Sequence, residues 1–302
     1  MDQFLVVGAS GFIGRHLFRF LEEQANTETI GTRSRSSDTR LVQFDLATDS
    51  IRDCLTAPWR ESRESKWAVI CSAVVPMDRC ATEPDYARAV MLEGTKRCID
   101  QLVEMNFRPV FLSTSYVFDG GSGGYHEDDA PAPQSQYGQL KREMELYLAE
   151  TCPESLVARL DKTVGADASA GHLFSGWYRD ASRQQAIVCI ADQQFGPTLV
   201  DDVVSLLYRS CRTRLTGIYH LANPTPIPRE VLAARFLAEC GMNTEIRTEP
   251  LSDFNLPEPR PLRSWLNADK ICQALDVTFT PVDEILRRFA SNVQSGRRSS
   301  GS

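Results

Sequence analysis

The chain has 302 residues, 42% of them hydrophobic, and 33 Lys and Arg against 40 Asp and Glu give a net charge of −7. That length suits one large or two modest domains with a sizeable core. The acidic balance argues against a nucleic-acid or anionic-membrane surface, and no apolar run reaches the ~18 residues of a membrane span. The N-terminus lacks the basic and apolar regions of a signal peptide. Nine cysteines are scattered without a CxxC pair, and the four histidines join no Cys/His cluster. Neither a metal site nor a disulfide framework is therefore expected, and free thiols fit a cytoplasmic protein.

In chain order, the apolar run Phe4–Val7 leads into a glycine-rich turn, Gly8-Ala9-Ser10-Gly11. A segment with helical spacing follows at Phe12, Ile13, Leu17, Phe20 and Leu21. Further strands are expected at Thr27–Thr32, Leu41–Phe44, Trp67–Ser72, Pro109–Ser113 and Ser155–Leu160, with helices at Pro84–Met105 and Gln136–Glu150. Strands alternating with helices imply parallel βαβ units, hence an α/β chain with a doubly wound parallel sheet. After Leu160 the rhythm breaks. Ile187–Ile190 reads as a strand and Asp201–Arg212 as a helix returning to the sheet. Prolines 224, 226, 228, 250, 257, 259 and 261 mark a loop-rich region with helices near Arg229–Cys240 and Val282–Val293. The expected division is a nucleotide-binding domain of residues 1–160 with 186–215, a smaller α/β substrate lobe of 161–185 and 216–293, and a disordered tail of 294–302.

Strand, tight turn and helix in that order make an anion site, because a helix's first amides lack internal partners and its dipole favours negative charge there. Gly8, Ser10, Gly11, Phe12, Ile13 and Gly14 are the candidate pyrophosphate contacts. The second strand does not end in the carboxylate that would bind a ribose diol. It runs instead into Arg33-Ser34-Arg35-Ser36. Two guanidiniums would hold a 2′-phosphate where a carboxylate would repel it. NADPH is therefore expected over NADH, with Arg33 as the leading contact and Arg35 beside it. Asp45 and Leu46, after the third strand, would border the adenine.

Ser113-Thr114-Ser115-Tyr116 closes a strand, so its hydroxyls fall where such sheets bind ligands. Tyr137 and Lys141 are four residues apart on a predicted helix and share a face. A phenol has a pKa of about 10, and a nearby ammonium lowers it. On this reading Tyr137 gives a proton to a carbonyl oxygen, Thr114 hydrogen-bonds the same oxygen, and Lys141 also holds the nicotinamide ribose.

These motifs are those of the extended short-chain dehydrogenase/reductases, and the chain resembles the dTDP-4-dehydrorhamnose reductase subfamily over most of its length. GASGFIG, STSYVFDG (113–120) and YGQLK carry part of the likeness. The stretch 77–95, the loop Asp192–Thr198 and the segment Arg260–Asn267 carry the rest. The resemblance implies a Rossmann-type sheet, a Thr114/Tyr137/Lys141 triad and NADPH as cofactor. It further implies cofactor contacts at Cys71, Ser72 and Ala73, and reduction of a keto group on a nucleotide-activated sugar. In the family's layout Arg260 would lie by the substrate and could pair with a diphosphate.

The departures crowd on the substrate side. Ser115 replaces an Asp, Cys71 and Met91 replace Asn, and Lys162 stands where the family has a Trp, adding a cation suited to an anionic group. Two other readings compete. One is a non-catalytic subunit like the regulatory subunit of methionine adenosyltransferase, with a partner enzyme. The other is an epimerase or dehydratase of the same fold, which Ser115-Tyr116 argues against, because dehydratases place an Asp-Glu pair there. A second copy of the chain is a candidate partner.

Overall fold

The computed structural model describes residues 1–62, 64–168 and 171–299. Strand β1 (Asp2–Val7), helix α1 (Phe12–Glu22), and strands β2 (Thr27–Arg33), β3 (Val42–Gln43), β4 (Lys66–Ile70), β5 (Phe107–Thr114) and β6 (Leu156–Leu160) form the first half. A later strand, Gly217–His220, joins them. Together they make a seven-stranded sheet ordered Gly217–His220, β6, β5, β4, β1, β2, β3. Every pairing in it is parallel.

Parallel strands are covered on both faces, so they read as unbroken apolar runs. Phe4 to Val7 are all buried. Leu5 and Val7 point into one apolar layer with Ile99, Leu102, Leu140 and Met144. Phe4 and Val6 point into the other with Leu17, Leu21, Val203 and Leu207. The strand order reverses between β1 and β4, and in such sheets the crevice at the reversal is the ligand site.

The tight turn after β1 depends on one close approach. A Cβ on Gly14 would sit 2.2 Å from the Gly8 carbonyl oxygen, so only hydrogen there lets α1 lie on the strand end.

The segment expected as one helix from Pro84 to Met105 is Pro84–Arg88, a π-helical stretch Ala89–Gly94, and Thr95–Glu104. Helix Val200–Arg212 packs on α1, under the sheet. Strand Ile187–Ile190, grouped from the sequence with the nucleotide-binding half, pairs instead with Ile246–Glu249. Its Ile187 and Cys189 pack with Phe174, Trp177, Phe236 and Phe289 in a separate aromatic cluster, and that burial fixes where the strand sits. The last helix, Val282–Ser299, runs through most of the expected disordered tail; residues 300–302 lie outside the described residues. Val282, Ile285, Leu286, Phe289 and Val293 are buried on one face of this helix, which sustains it. Among the described residues no helix is long and apolar enough to cross a membrane.

A buried ion pair ties helix Gln136–Thr151 to the sheet. Arg159 on β6 donates to Glu145 through Nε at 2.9 Å and Nη2 at 2.8 Å. Ser113 on β5 adds a 2.6 Å hydrogen bond, and Arg142 one at 3.0 Å. Burial pushes the Glu145 carboxyl up, yet Arg159, Ser113 and Arg142 outweigh it and hold the group below its ordinary value. Arg159→Met would strand that carboxylate in the interior. The expected loss is about 3–5 kcal/mol of unfolding free energy in urea titration, whereas the paired change Arg159→Met with Glu145→Leu should recover most of it.

Candidate active site

Above the carboxyl ends of β1, β4, β5 and β6 lies a cleft of about 1420 Å³. The glycine turn forms one wall. Gly8, Ser10, Gly11, Phe12 and Ile13 line it, and Gly11 caps α1 without a side-chain hydrogen bond, which leaves the first amides of the helix for a ligand. Gly14 lies behind, against Gly8. Asp45, Leu46, Cys71, Ser72 and Ala73 all line the cleft.

The arginines divide otherwise than expected. Arg33 is not among the lining residues. Its guanidinium donates to the Leu41 carbonyl, the Ser36 carbonyl at 2.6 Å and Gln43 Oε1 at 2.7 Å. It thus braces the loop that carries Arg35. Arg35 faces the cleft and donates to the Tyr86 hydroxyl at 3.3 Å. The Tyr86 ring in turn lies under the Arg79 guanidinium at 4.8 Å. Of the two arginines Arg35 lines the cleft, while Nε and Nη1 of Arg33, expected as the leading contact, are spent on the loop.

On the other wall Thr114, Ser115, Tyr116, Tyr137 and Lys141 come together. Ser135 caps the helix that carries Tyr137, accepting from Gly138 N at 3.0 Å. Glu258 accepts from Gln136 N at 2.9 Å and Tyr137 N at 3.3 Å. Gly138 allows the first turn to approach closely, since a Cβ there would fall 2.2 Å from the Tyr116 carbonyl oxygen. The Tyr116 and Tyr137 rings meet edge to face at 6.0 Å. Glu258 carries no local motif, and only its distant return to the helix reveals its role.

The electrostatics correct one expectation. Lys141 is buried, 4% exposed, and donates to the Leu112 carbonyl at 2.6 Å. Its ammonium lies 5.9 Å from the Tyr137 ring centroid. Burial pushes its pKa down to about 8. The Tyr137 phenol is not made acidic by it. Burial raises the phenol first, Tyr116 and Cys80 add to that, and the Thr114 side chain is the neighbour that pulls the other way. The Cys71 thiol beside them is pushed up to about 12 by burial and stays neutral.

Arg260 is also placed differently. It does not line the cleft but forms a two-pronged ion pair with Asp78, at 2.7 and 2.8 Å, and donates to the Glu258 carbonyl. Its charge is thus already matched, and it fastens the C-terminal segment over the helix of Tyr137. Lys162 does line the cleft, together with Asp161 and Arg229, neither of which carries a motif readable in the sequence.

A family model described as the RmlD substrate binding domain matches residues 2–295. The chain belongs to the RmlD substrate-binding domain family. This family is a branch of the extended short-chain dehydrogenase/reductases. Curated relatives include the dTDP-4-dehydrorhamnose reductase of Aggregatibacter actinomycetemcomitans, 25% identical over 92% of this chain and 94% of that protein. The probable low-salt glycan biosynthesis reductase Agl14 of Haloferax volcanii is 25% identical over 88% and 90%. In fold the chain is similar to the crystal structure of dTDP-4-dehydrorhamnose reductase from Bacillus anthracis in complex with NADP, with a TM-score of 0.82, 22% identity, and 96% and 99% of the two chains covered. A UDP-glucose 4-epimerase from Thermotoga maritima is superposable too, at a TM-score of 0.81 and 17% identity, over 98% of this RmlD-family chain and 99% of that one.

Lys162, like Lys141, is held down to about pKa 8, by burial first and then by Arg229. A lysine depressed from 10.5 to about 8 leaves the fold with fewer bound protons than the unfolded chain across that window. Its contribution to stability is complete above the unfolded value and is lost as pH falls through about 8. Between pH 8 and 10.5 the unfolding free energy of the parent should therefore rise relative to that of Lys162→Met, read by urea unfolding at several pH values.

Proposed function

We propose that this chain is an NADPH-dependent reductase of a keto group on a nucleotide-activated sugar. The observation that carries the reading is the meeting of the two walls. One cleft holds an uncapped helix terminus after a glycine turn, Arg35 just beyond the second strand, Thr114 at the end of the fifth, and Tyr137 and Lys141 on helix Gln136–Thr151. The backbone cradle fits a dinucleotide, since Ser10 to Ile13 offer amides to a pyrophosphate and Arg35 offers a guanidinium to a 2′-phosphate. When bound there, NADPH supplies the hydride.

The remaining steps belong to the protein. Tyr137 keeps its proton at any working pH, because its burial raises the phenol. It can then deliver that proton to the keto oxygen as negative charge develops there, while the Thr114 hydroxyl hydrogen-bonds the same oxygen. Lys141, charged below about pH 8, holds a ribose hydroxyl and sets a positive potential beside the phenol. Val74 and Val90 add apolar surface to the cleft lining.

The non-catalytic alternative has no observation in its favour, since an association module needs no proton donor facing a dinucleotide cradle. Tyr137→Phe should cut kcat for NADPH oxidation with a nucleotide 4-keto sugar by about 10²–10⁴ while NADPH still quenches protein fluorescence. Turnover at the parent rate would remove Tyr137 from the proposed role. Separately, Arg35→Ala should raise KM for NADPH about tenfold or more and leave that for NADH nearly unmoved. Arg33→Ala should show itself chiefly as a lowered Tm.

A further inference from the structure

One pair of cations in the cleft is left over from this account. Lys162 follows β6, and its ammonium lies 5.7 Å from the Phe195 ring centroid. Arg229 opens helix Arg229–Glu239; its guanidinium donates to Gln193 Oε1 at 2.8 Å and lies 6.0 Å from the Trp177 ring centroid. Both are half-buried and line the same cleft as Tyr116. Among the described residues neither forms a salt bridge.

The adjacent Asp161 carboxylate attracts Lys162 but forms no ion pair with either cation among the described residues. Asp161 Oδ1 accepts from Ser115 at 3.0 Å and Ser264 at 2.8 Å, and Oδ2 accepts from Gly196 N at 2.9 Å. Both of its oxygens are turned to the β5 turn and the C-terminal lobe. The two cations also act on each other, since Arg229 is the second cause, after burial, of the weakened Lys162 ammonium. Half-buried like charges with no ion pair of their own are costly unless a ligand brings the opposite sign.

Their position says which part of a ligand that is. Tyr116 lines the cleft with both cations, and its ring abuts Tyr137. The two cations therefore share the cleft with Tyr116 and with the proton donor whose ring it abuts, so a charged substituent of the sugar being reduced is the group that would meet them. We infer that the Lys162–Arg229 niche binds a carboxylate carried by the sugar, so that the enzyme is selective for an acidic keto sugar over a neutral one. This inference rests on the reductase reading above.

The test is calorimetric, on the NADP⁺-loaded protein, with UDP-glucuronate and UDP-galacturonate against UDP-glucose, UDP-galactose and UDP. The acidic sugars should bind about tenfold or more tightly than their neutral counterparts, as a charge-assisted contact requires. Lys162→Met should bring that ratio close to one, and Lys162→Arg should keep most of it. A parent ratio near one overturns the inference. So does a Lys162→Met protein in which UDP alone weakens as much as UDP-glucuronate, for the niche then holds a phosphate. Should NADP⁺ bind and no nucleotide sugar follow, the reductase reading itself fails, and this inference falls with it.

Discussion

The site stands on the Glu145–Arg159 pair. Tyr137, Lys141 and Glu145 are spaced by four, so they share one face of a single helix. Glu145 is the residue that fixes how that face is turned. Arg159 holds it from β6 and Ser113 from β5. The Arg159 guanidinium is itself stacked over Phe118 at 5.0 Å. An apolar contact would allow the helix to roll by several degrees without much penalty. A fork-shaped pair of charge-assisted bonds does not, because each oxygen has an assigned partner. With that roll fixed, Lys141 reaches the Leu112 carbonyl one turn earlier, and Tyr137 faces the cleft one turn earlier still. At the N-terminal end Ser135 and Glu258 hold the first amides, so the helix is clamped at both ends of the reactive face.

That clamping decides the protonation states. A tightly packed phenol and ammonium lose water together, and both charged forms become less favourable. In a loose site the ammonium would sit closer to solvent, keep its ordinary pKa and draw the phenol down. Here the phenol goes up and the lysine goes down. For reduction that direction is the useful one, because the group needed is a neutral acid and not a phenolate. The same packing would make the reverse reaction slow to start at neutral pH, when a base is wanted at that position.

Periodicity and glycine spacing revealed the sheet, the glycine turn after β1 and the YxxxK helix, because each is written in residues close together in sequence. What they could not reveal depends on contacts between distant residues. Arg33 and Arg35 differ by two positions, and choosing between them required knowing that Leu41 and Gln43 lie within reach of the first. Arg260 reads as a ligand for a diphosphate until Asp78, far earlier in the chain, is seen to match it. Strand Ile187–Ile190 has the composition of any buried strand, and only the aromatic cluster of the second lobe decides its sheet. The end of the final helix was obscured because residues 295–299, SGRRS, have the composition of a tail, while the apolar face that anchors the helix lies earlier.

The distribution of charge follows the same division. The chain as a whole is acidic. Its cleft is not: Arg35, Arg79, Lys141, Lys162, Arg179 and Arg229 line it, against Asp45 and Asp161. Asp161 is raised by burial and its oxygens already accept three hydrogen bonds, so it offsets only part of this positive charge. An acidic surface around a basic cleft repels anions everywhere except at the opening, where low-dielectric walls focus the field. A ligand with a phosphate at one end, or at both, would be drawn into this cleft lengthwise. A basic exterior is therefore not needed to draw an anionic ligand into the cleft.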